Sequence, residues 1–281
     1  MHPQDESTVT STSTIASEAC VDDGSTGIAS STHLVLIPSY NAGDRLLSTV
    51  LEARAHWAPV WVVIDGSTDG SAAAVLARAR SDEGIRVLAL PTNQGKGAAV
   101  LHGLKAARDA GFTHALTMDS DGQHPARRVA DFMQASINAP DAMILGKPVF
   151  DADAPALRVK GRRVSNWWAQ LETMRFDDRR GIGDSLFGFR VYPIAPLIAI
   201  MERTRWMRRF DFDPEAVVRL AWRGVKPINV DAEVRYLASS EGGVSHFRYG
   251  RDNLLLSGMH LRLMAGFLVR LPLLLARRAK R

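Results

Sequence analysis

His114-Ala115-Leu116-Thr117-Met118-Asp119-Ser120-Asp121-Gly122-Gln123-His124-Pro125 is the stretch that decides how this chain folds. It begins as an apolar run of strand length and opens abruptly onto polar residues. Asp119 and Asp121 stand at i and i+2 of a strand, so they point to one face, about 7 Å apart at the backbone. A hard divalent cation, with oxygen ligands at roughly 2.0–2.6 Å, can draw two such carboxylates together. Gly122 lets the chain turn sharply, Gln123 adds a neutral oxygen, and Pro125 suits the first turn of a helix. Paired acids repel, so something cationic is expected between them. Capping of the following helix explains one acid, but not two aimed the same way beside a glutamine.

Upstream of this stretch, three more apolar runs recur at similar spacing: His33 to Ile37, Val60 to Ile64 and Ile85 to Leu90. Between the runs, residues 44–56, 71–80 and 98–110 show helical periodicity, the last followed by Gly111, which suits a left-handed helix end. Strand and helix alternating at this interval predict βαβ units and a mostly parallel, Rossmann-like sheet with right-handed crossovers. Ligands bind such sheets beyond the carboxyl ends of the strands. At those ends stand Pro38-Ser39-Tyr40-Asn41, Asp65-Gly66-Ser67-Thr68-Asp69-Gly70, Asn93-Gln94-Gly95-Lys96-Gly97 and the acidic pair. All four sets of unusual residues converge on one rim. Asp65, directly at a strand end, is a candidate ligand contact, whereas Asp69 suits a helix cap. The amides around Gly95-Lys96-Gly97 can meet a phosphate. Alone, that stretch also fits an ordinary turn with a solvated lysine, and it is neither a dinucleotide fingerprint nor a P-loop.

Downstream the pattern loosens. Met143 to Gly146 reads as a fifth strand, Phe187 to Tyr192 as another, and Lys226 to Tyr236 as a third. Arg158 and Arg162 share one helical face, with Arg163, Ser165, Trp167 and Trp168 beyond. Asp213-Pro214-Glu215 has the composition of a helix start, with Asp213 as its cap or as a site residue. Residues 246–281 are crowded with leucine, yet Arg251, Arg262 and Arg270 interrupt every window long enough to span a bilayer. A basic amphipathic helix lying on a membrane surface is expected there, with a helix packed on the domain as its alternative.

The chain has 281 residues, 46% of them apolar and 23% charged, as in a soluble globular protein. One cysteine, Cys20, excludes an internal disulfide and a cysteine zinc cluster and fits a reducing compartment. Residues 1–32 contain no lysine or arginine, are dense in serine and threonine, and read as a disordered polar tail. The net charge of +5, with five acids confined to that tail, leaves a basic body suited to an anionic partner. No nucleic-acid-binding motif is present.

In that order, these motifs resemble glycosyltransferase family 2, the inverting nucleotide-sugar enzymes of GT-A fold, near the dolichol- and polyprenyl-phosphate sugar synthases. The resemblance covers roughly residues 34–236 and implies a GT-A domain over 33–245. It implies that Pro38, Tyr40, Asn41, Asp65, Lys96 and Asp119 hold a UDP- or GDP-linked sugar. It also implies that Asp119, Asp121 and Gln123 hold Mg²⁺ or Mn²⁺. Gly188-Phe189-Arg190, with Asp184 upstream, resembles a later motif of the polyprenyl branch. A lipid phosphate acceptor would be oriented by Arg158, Arg162, Arg163 or Ser165, and a hydroxyl acceptor would need Asp184 or Asp213 as base. Ile64 departs from the family's paired acids at the second motif, and Leu186 and Phe187 replace polar and small residues before Gly188. Such an enzyme is expected to be cytoplasmic and peripheral on the inner face of a membrane. The rival readings are a sugar-phosphate nucleotidyltransferase, which wants a Gly-rich, Arg-containing loop after the first strand, and a non-catalytic basic membrane-binding module.

Overall fold

The computed structural model describes residues 27–150, 156–175, 181–234 and 249–279, without the side chains of 156–160, 249 and 277–279. Nearly all of the polar tail, the side chains of Arg158, Arg277 and Arg278, and the whole of Lys280 and Arg281 therefore lie outside the described part. In chain order, the first half holds β1 (Ile28–Ala29), β2 (His33–Ser39), α1 (Arg45–Arg54), β3 (Trp57–Ala58), β4 (Val60–Asp65), α2 (Ser71–Ala79), β5 (Ile85–Leu90), α3 (Lys96–Asp109) and β6 (His114–Thr117). A 3₁₀ turn (Ala126–Arg128) then leads to α4 (Val129–Asn138), β7 (Ala142–Phe150), α5 (Ala156–Thr173), β8 (Arg190–Pro193), α6 (Ile194–Met201), α7 (Phe212–Trp222), β9 (Lys226–Val234) and α8 (Tyr249–Ala279).

Seven strands form one sheet in the order β5-β4-β2-β6-β8-β7-β9, parallel except at β8, which runs against both its neighbours. Central β2 is buried along its whole length, which is why its sequence is a continuous apolar run rather than an alternation. Leu34 and Leu36 face a core shared with α3, α6 and α7, while Val35 and Ile37 face one shared with α1 and α4. Thr117 pairs with Arg190 and His114 with Pro193, so reversed β8 begins at the rim where β2, β4 and β6 end.

Three downstream expectations shift. The strand expected from Phe187 begins only at Arg190, because the Asp184 carboxylate accepts the amides of Leu186 (2.9 Å) and Phe187 (2.7 Å) and makes that stretch a turn. The fifth strand is longer than expected, since Ala142 to Phe150 pairs throughout with β9. Helix α7 starts at Phe212, so Asp213 is not its cap. Asp211 precedes the helix and closes the turn before it by accepting the amides of Met207 and Arg209 at 3.0 Å each.

Helix α8 packs on α5 and α7 through Met259, Leu263 and Phe267. Its middle arginines are turned toward the protein. Arg262 lies 4.1 Å over the Trp206 ring and donates to Glu215, and Arg270 lies 4.7 Å over Trp222. Leu254, Leu261, Leu268 and Leu275, spaced by seven, line the exposed side. The segment Gly250–Ala276, with a mean hydropathy of 1.5, is by length and composition long and apolar enough to cross a membrane. Arg262 is thus half-buried against the protein, while Arg251 and Arg270 stay exposed.

Candidate active site

The rim is built by loops that hold each other. The Asn41 Oδ1 accepts the Thr68 amide at 2.8 Å, and the Asn41 amide donates to Ser67 Oγ at 3.0 Å, tying the end of β2 to the end of β4. Asp69 accepts the amides of Gly43 (2.9 Å) and Ser71 (3.0 Å), so it fixes the start of α2 as expected of a capping group. Asp65 is 2% exposed and accepts the amides of Gln94 and Gly95 at 2.8 Å each. It clamps the third loop onto the second while still lining the cavity described below. Gly66, at φ +65°, allows this closeness, since a Cβ there would fall 2.5 Å from the Asn93 backbone nitrogen.

Lys96, the first residue of α3, is not solvated. Its ammonium sits 2.6 Å from Asp119 and 2.7 Å from Asp213, with the side chain 13% exposed. Burial works against its charge, but the two carboxylates outweigh that and hold it above the ordinary lysine range. Burial would raise the Asp119 carboxyl too, yet Lys96 and then His124 bring it down to about 2. The cation expected beside the acidic pair is thus, in part, a side chain of this chain. Asp121 has no such partner, and burial together with the charge on Asp119 raises its carboxyl. His124 accepts the Asp119 amide at Nδ1 (3.0 Å), which leaves its remaining ring proton on Nε2, 3.5 Å from Asp119 Oδ2. Neither Lys96 as a bridge nor His124 as a prop was evident in the sequence. Their partners lie 117 residues away for Lys96–Asp213 and across a tight turn for His124.

The opposite side of the rim comes from β8 and α7. Gly188 presents bare backbone to the acidic centre, where a Cβ would stand 2.7 Å from Lys96 Nζ and 3.2 Å from Asp119 Oδ2. Arg190 is fully buried and donates to Tyr192 Oη (2.9 Å), the Asp213 carbonyl (2.6 Å) and the Asp184 carbonyl (3.2 Å), binding the motif to α7. Asp213 is 4% exposed; its Oδ2 holds Lys96, and its Oδ1 is buried without a hydrogen-bond partner.

These groups line one end of a cavity of about 1540 Å³ that continues between α5 and α8. Pro38, Tyr40, Asp65, Lys96, Asp119, Asp121, Gln123 and Asp213 lie on its wall, as do Arg162 and Ser165 at the far end. Asn41 is not on the wall, because its side chain is spent on the Thr68 loop. Arg163 is exposed and also off the wall, since adjacent residues of a helix point about 100° apart. Asp184 is 1% exposed and saturated by the Arg162 guanidinium (2.7 Å), the Asn166 amide (3.2 Å) and two backbone amides. It positions Arg162 and the 184–187 turn instead of standing ready to take a proton. His260, Leu261 and Met264 of α8 also face the cavity, and the sequence reading had assigned that helix only to the membrane.

Asp119, Asp121 and Gln123 offer an oxygen-only set beside the cavity, of the hardness Mg²⁺ and Mn²⁺ favour. Burial and then the charge on Asp119 raise the Asp121 carboxyl, and a divalent ion would offset both. The residues fit the ion.

Residues 34–199, more than half of the chain, match the model of glycosyl transferase family 2. The chain belongs to that family. This family 2 glycosyltransferase is 26% identical over 207 residues to the undecaprenyl-phosphate mannosyltransferase of Micrococcus luteus, covering 70% of this chain and 81% of that one. It is 30% identical over 172 residues to the polyprenol monophosphomannose synthase of Mycolicibacterium smegmatis, covering 57% and 60%. Among solved structures, mannosyl-3-phosphoglycerate synthase from Rubrobacter xylanophilus superposes with a TM-score of 0.54 at 17% identity, over 85% of this chain and 74% of the other. That likeness bears on the fold, which is GT-A. The family membership sets aside the nucleotidyltransferase and the non-catalytic module.

Proposed function

We propose that the protein transfers a sugar from a UDP- or GDP-sugar to a polyprenyl-type lipid phosphate, with inversion at the anomeric carbon. One observation carries this reading. A single cavity joins the acidic, lysine-bridged rim to an arginine-bearing, apolar-walled gap under a helix with an exposed leucine face. Relatives named for undecaprenyl-phosphate and polyprenol substrates support it. The residues 33–245 would form the catalytic domain and 246–281 its membrane-facing segment.

In this reading Asp65 and the loops it clamps shape the nucleotide end, and Lys96 and Arg190 keep the rim rigid and positive beside the acids. Mg²⁺ or Mn²⁺ held by Asp119, Asp121 and Gln123 would supply positive charge to the departing diphosphate. Arg162, fixed by Asp184, orients the acceptor through charge-assisted hydrogen bonds. An acceptor phosphate oxygen attacks the anomeric carbon from the face opposite the leaving group. The new carbon–oxygen bond forms as the bond to the nucleoside diphosphate breaks, and the electron pair leaves with that diphosphate. The attacking oxygen is already anionic, so no general base is required.

We place the enzyme on the cytoplasmic face of a membrane, with Leu254, Leu261, Leu268 and Leu275 in the interface, Arg262 turned inward over Trp206 and the exposed Arg270 lying over Trp222. The test is to offer UDP- and GDP-sugars with polyprenyl phosphate in the presence of Mg²⁺, Mn²⁺ or chelator, and to extract labelled lipid. A metal-stimulated sugar phospholipid is expected from one donor. Nucleoside diphosphate release without any lipid product would overturn the reading.

A further inference from the structure

A diphosphate entering the rim has to be met by positive charge, and most of the groups able to supply it are already engaged. In the third loop the amides of Gln94 and Gly95 go to Asp65, and the Lys96 ammonium goes to Asp119 and Asp213. The Ala98 amide is shared by the carbonyls of Gly95 (2.9 Å) and Arg208 (3.1 Å). Arg162 is bound to Asp184, and Arg190 to Tyr192 and two carbonyls. Two further arginines line the cavity, Arg209 and Arg251, and neither side chain makes a hydrogen bond or ion pair among the described residues. Arg251 is carried by α8, whereas Arg209 belongs to the loop between α6 and α7 that packs on the rim.

That loop is fixed from within and from outside. The Arg208 guanidinium donates to the carbonyls of Met201 (2.9 Å), Thr204 (3.0 Å) and Trp206 (3.0 Å), so its bonds are spent at the end of α6. Asp211 holds the amides of Met207 and Arg209 from the other side. The bond from Ala98 to the Arg208 carbonyl fastens the loop to α3, and two glycines let it come this close. A Cβ on Gly95 would stand 2.8 Å from Arg209 Cγ, and one on Gly97 would stand 2.8 Å from Phe212 Cβ. The stem of Arg209 therefore lies against the third loop, beside Gly95, which shares the cavity wall with Asp65 and Asn93. Of two adjacent arginines, one ties the loop and the other leaves an exposed guanidinium at the cavity.

We infer that Arg209 is a ligand of the donor's diphosphate, brought to the nucleotide end of the cavity by the α6–α7 loop. A guanidinium presents paired N–H groups that match two phosphate oxygens, and this one has no partner to give up first. Its charge adds to what a metal at Asp119, Asp121 and Gln123 would supply. Negative charge grows on the diphosphate as its bond to the sugar breaks, so the same contact strengthens toward the transition state. The inference rests on the nucleotide-sugar reading above and adds a binding residue to it. Arg209 falls in none of the stretches that resemble the family's motifs, and it lies beyond the span 34–199 that matches the family model.

The test uses the full-length protein with Mg²⁺ and three probes, UDP, GDP and inorganic pyrophosphate, titrated by calorimetry without sugar or acceptor. Arg209→Gln should weaken the nucleoside diphosphate that the wild type binds by about tenfold or more, the scale of a hydrogen bond to a charged group. Pyrophosphate competing for the same place should lose as much. Arg209→Lys, which keeps the charge without the fork, should recover part of both. The melting temperature should not change, because the side chain replaced makes no hydrogen bond or ion pair among the described residues. In transfer assays kcat/KM for the donor should fall by a similar factor while the acceptor KM stays within about a factor of two. Nucleoside diphosphate binding by folded Arg209→Gln within about a factor of two of the wild type, or no such binding by the wild type, would overturn the inference. So would weakened nucleoside diphosphate with undiminished pyrophosphate, which would put the contact on the base or ribose. Equal loss in both variants with a lowered melting temperature would also overturn it, since Arg209 would then be only a strut of its loop. Binding by the wild type with no sugar transferred to any lipid would instead overturn the acceptor reading while leaving this contact in place.

Discussion

Replacing Lys96 by methionine is the sharpest perturbation of the rim, because methionine preserves much of the stem and removes only the charge. The ammonium lost is the one that holds Asp119 at 2.6 Å and Asp213 at 2.7 Å. Asp119 is about a third exposed, so water can take up part of its loss. Asp213 is not so placed: it is 4% exposed and its Oδ1 already lacks a partner, so removing Lys96 orphans both oxygens. Breaking a buried ion pair on one side costs about 3–5 kcal/mol, and the exposure of Asp119 argues for the lower half of that range. Urea unfolding at pH 7.5 should therefore show a loss of about 3 kcal/mol relative to the wild type. Mn²⁺ should recover part of it, since a divalent ion at Asp119 restores cationic charge to the same corner. A loss below about 1 kcal/mol, with no response to Mn²⁺, would show that Asp213 finds its compensation elsewhere and that the bridge is not what holds the two halves of the rim together.

Three further outcomes follow from the same geometry. Asp121→Asn should leave stability within about 1 kcal/mol or raise it, because it removes a carboxylate that burial and Asp119 disfavour, while metal-stimulated transfer is lost; thermal melting and a Mn²⁺ titration of activity check both. Gly66→Ala should cost about 1–3 kcal/mol, and it should raise the donor KM, because the alanine is strained at φ +65° and presses on the Asn93 backbone; urea unfolding and donor-varied kinetics read the two effects. His33, stacked on His114 at 4.5 Å, is lowered to about 4 by burial and then by His114, so its neutral form stabilises the fold fully above pH 6.5 and that contribution is lost as pH falls toward 4; the unfolding free energy from urea titrations over that window should drop by an amount on the order of 3 kcal/mol, and the dependence should flatten in His33→Gln.

The sequence was most legible where chemistry and chain order coincide. The loops after β2, β4, β5 and β6 sit on one rim because parallel strands must end together, and each apolar run marked its strand within a residue or two. Legibility fell where a side chain overrides the local pattern. Phe187 and Phe189 look like strand residues, but the Asp184 carboxylate pulls the backbone before Arg190 into a turn. Asp213 looked like a cap because Pro214 follows it; Asp211, two residues earlier, takes the place before the helix and frees Asp213 for the cavity. Arg162 and Arg163 were equivalent in the sequence until the helix was given a partner. His260 gave no signal at all, since its meaning depends on a glutamate 88 residues away.

The placement of α8 bears on how such an enzyme can change over evolutionary time. Its leucine row can drift among apolar residues with little effect on the interior, because those side chains are mostly exposed. Its inner face cannot, since Arg262, His260 and Met259 answer to residues on α5 and α7. A premature stop before residue 249 would therefore not release a freely diffusing enzyme that merely misses its lipid. It would strip one wall from the cavity and take from Glu172 its His260 partner and from Glu215 its Arg262 partner, so loss of location and loss of catalysis would reach selection as a single event.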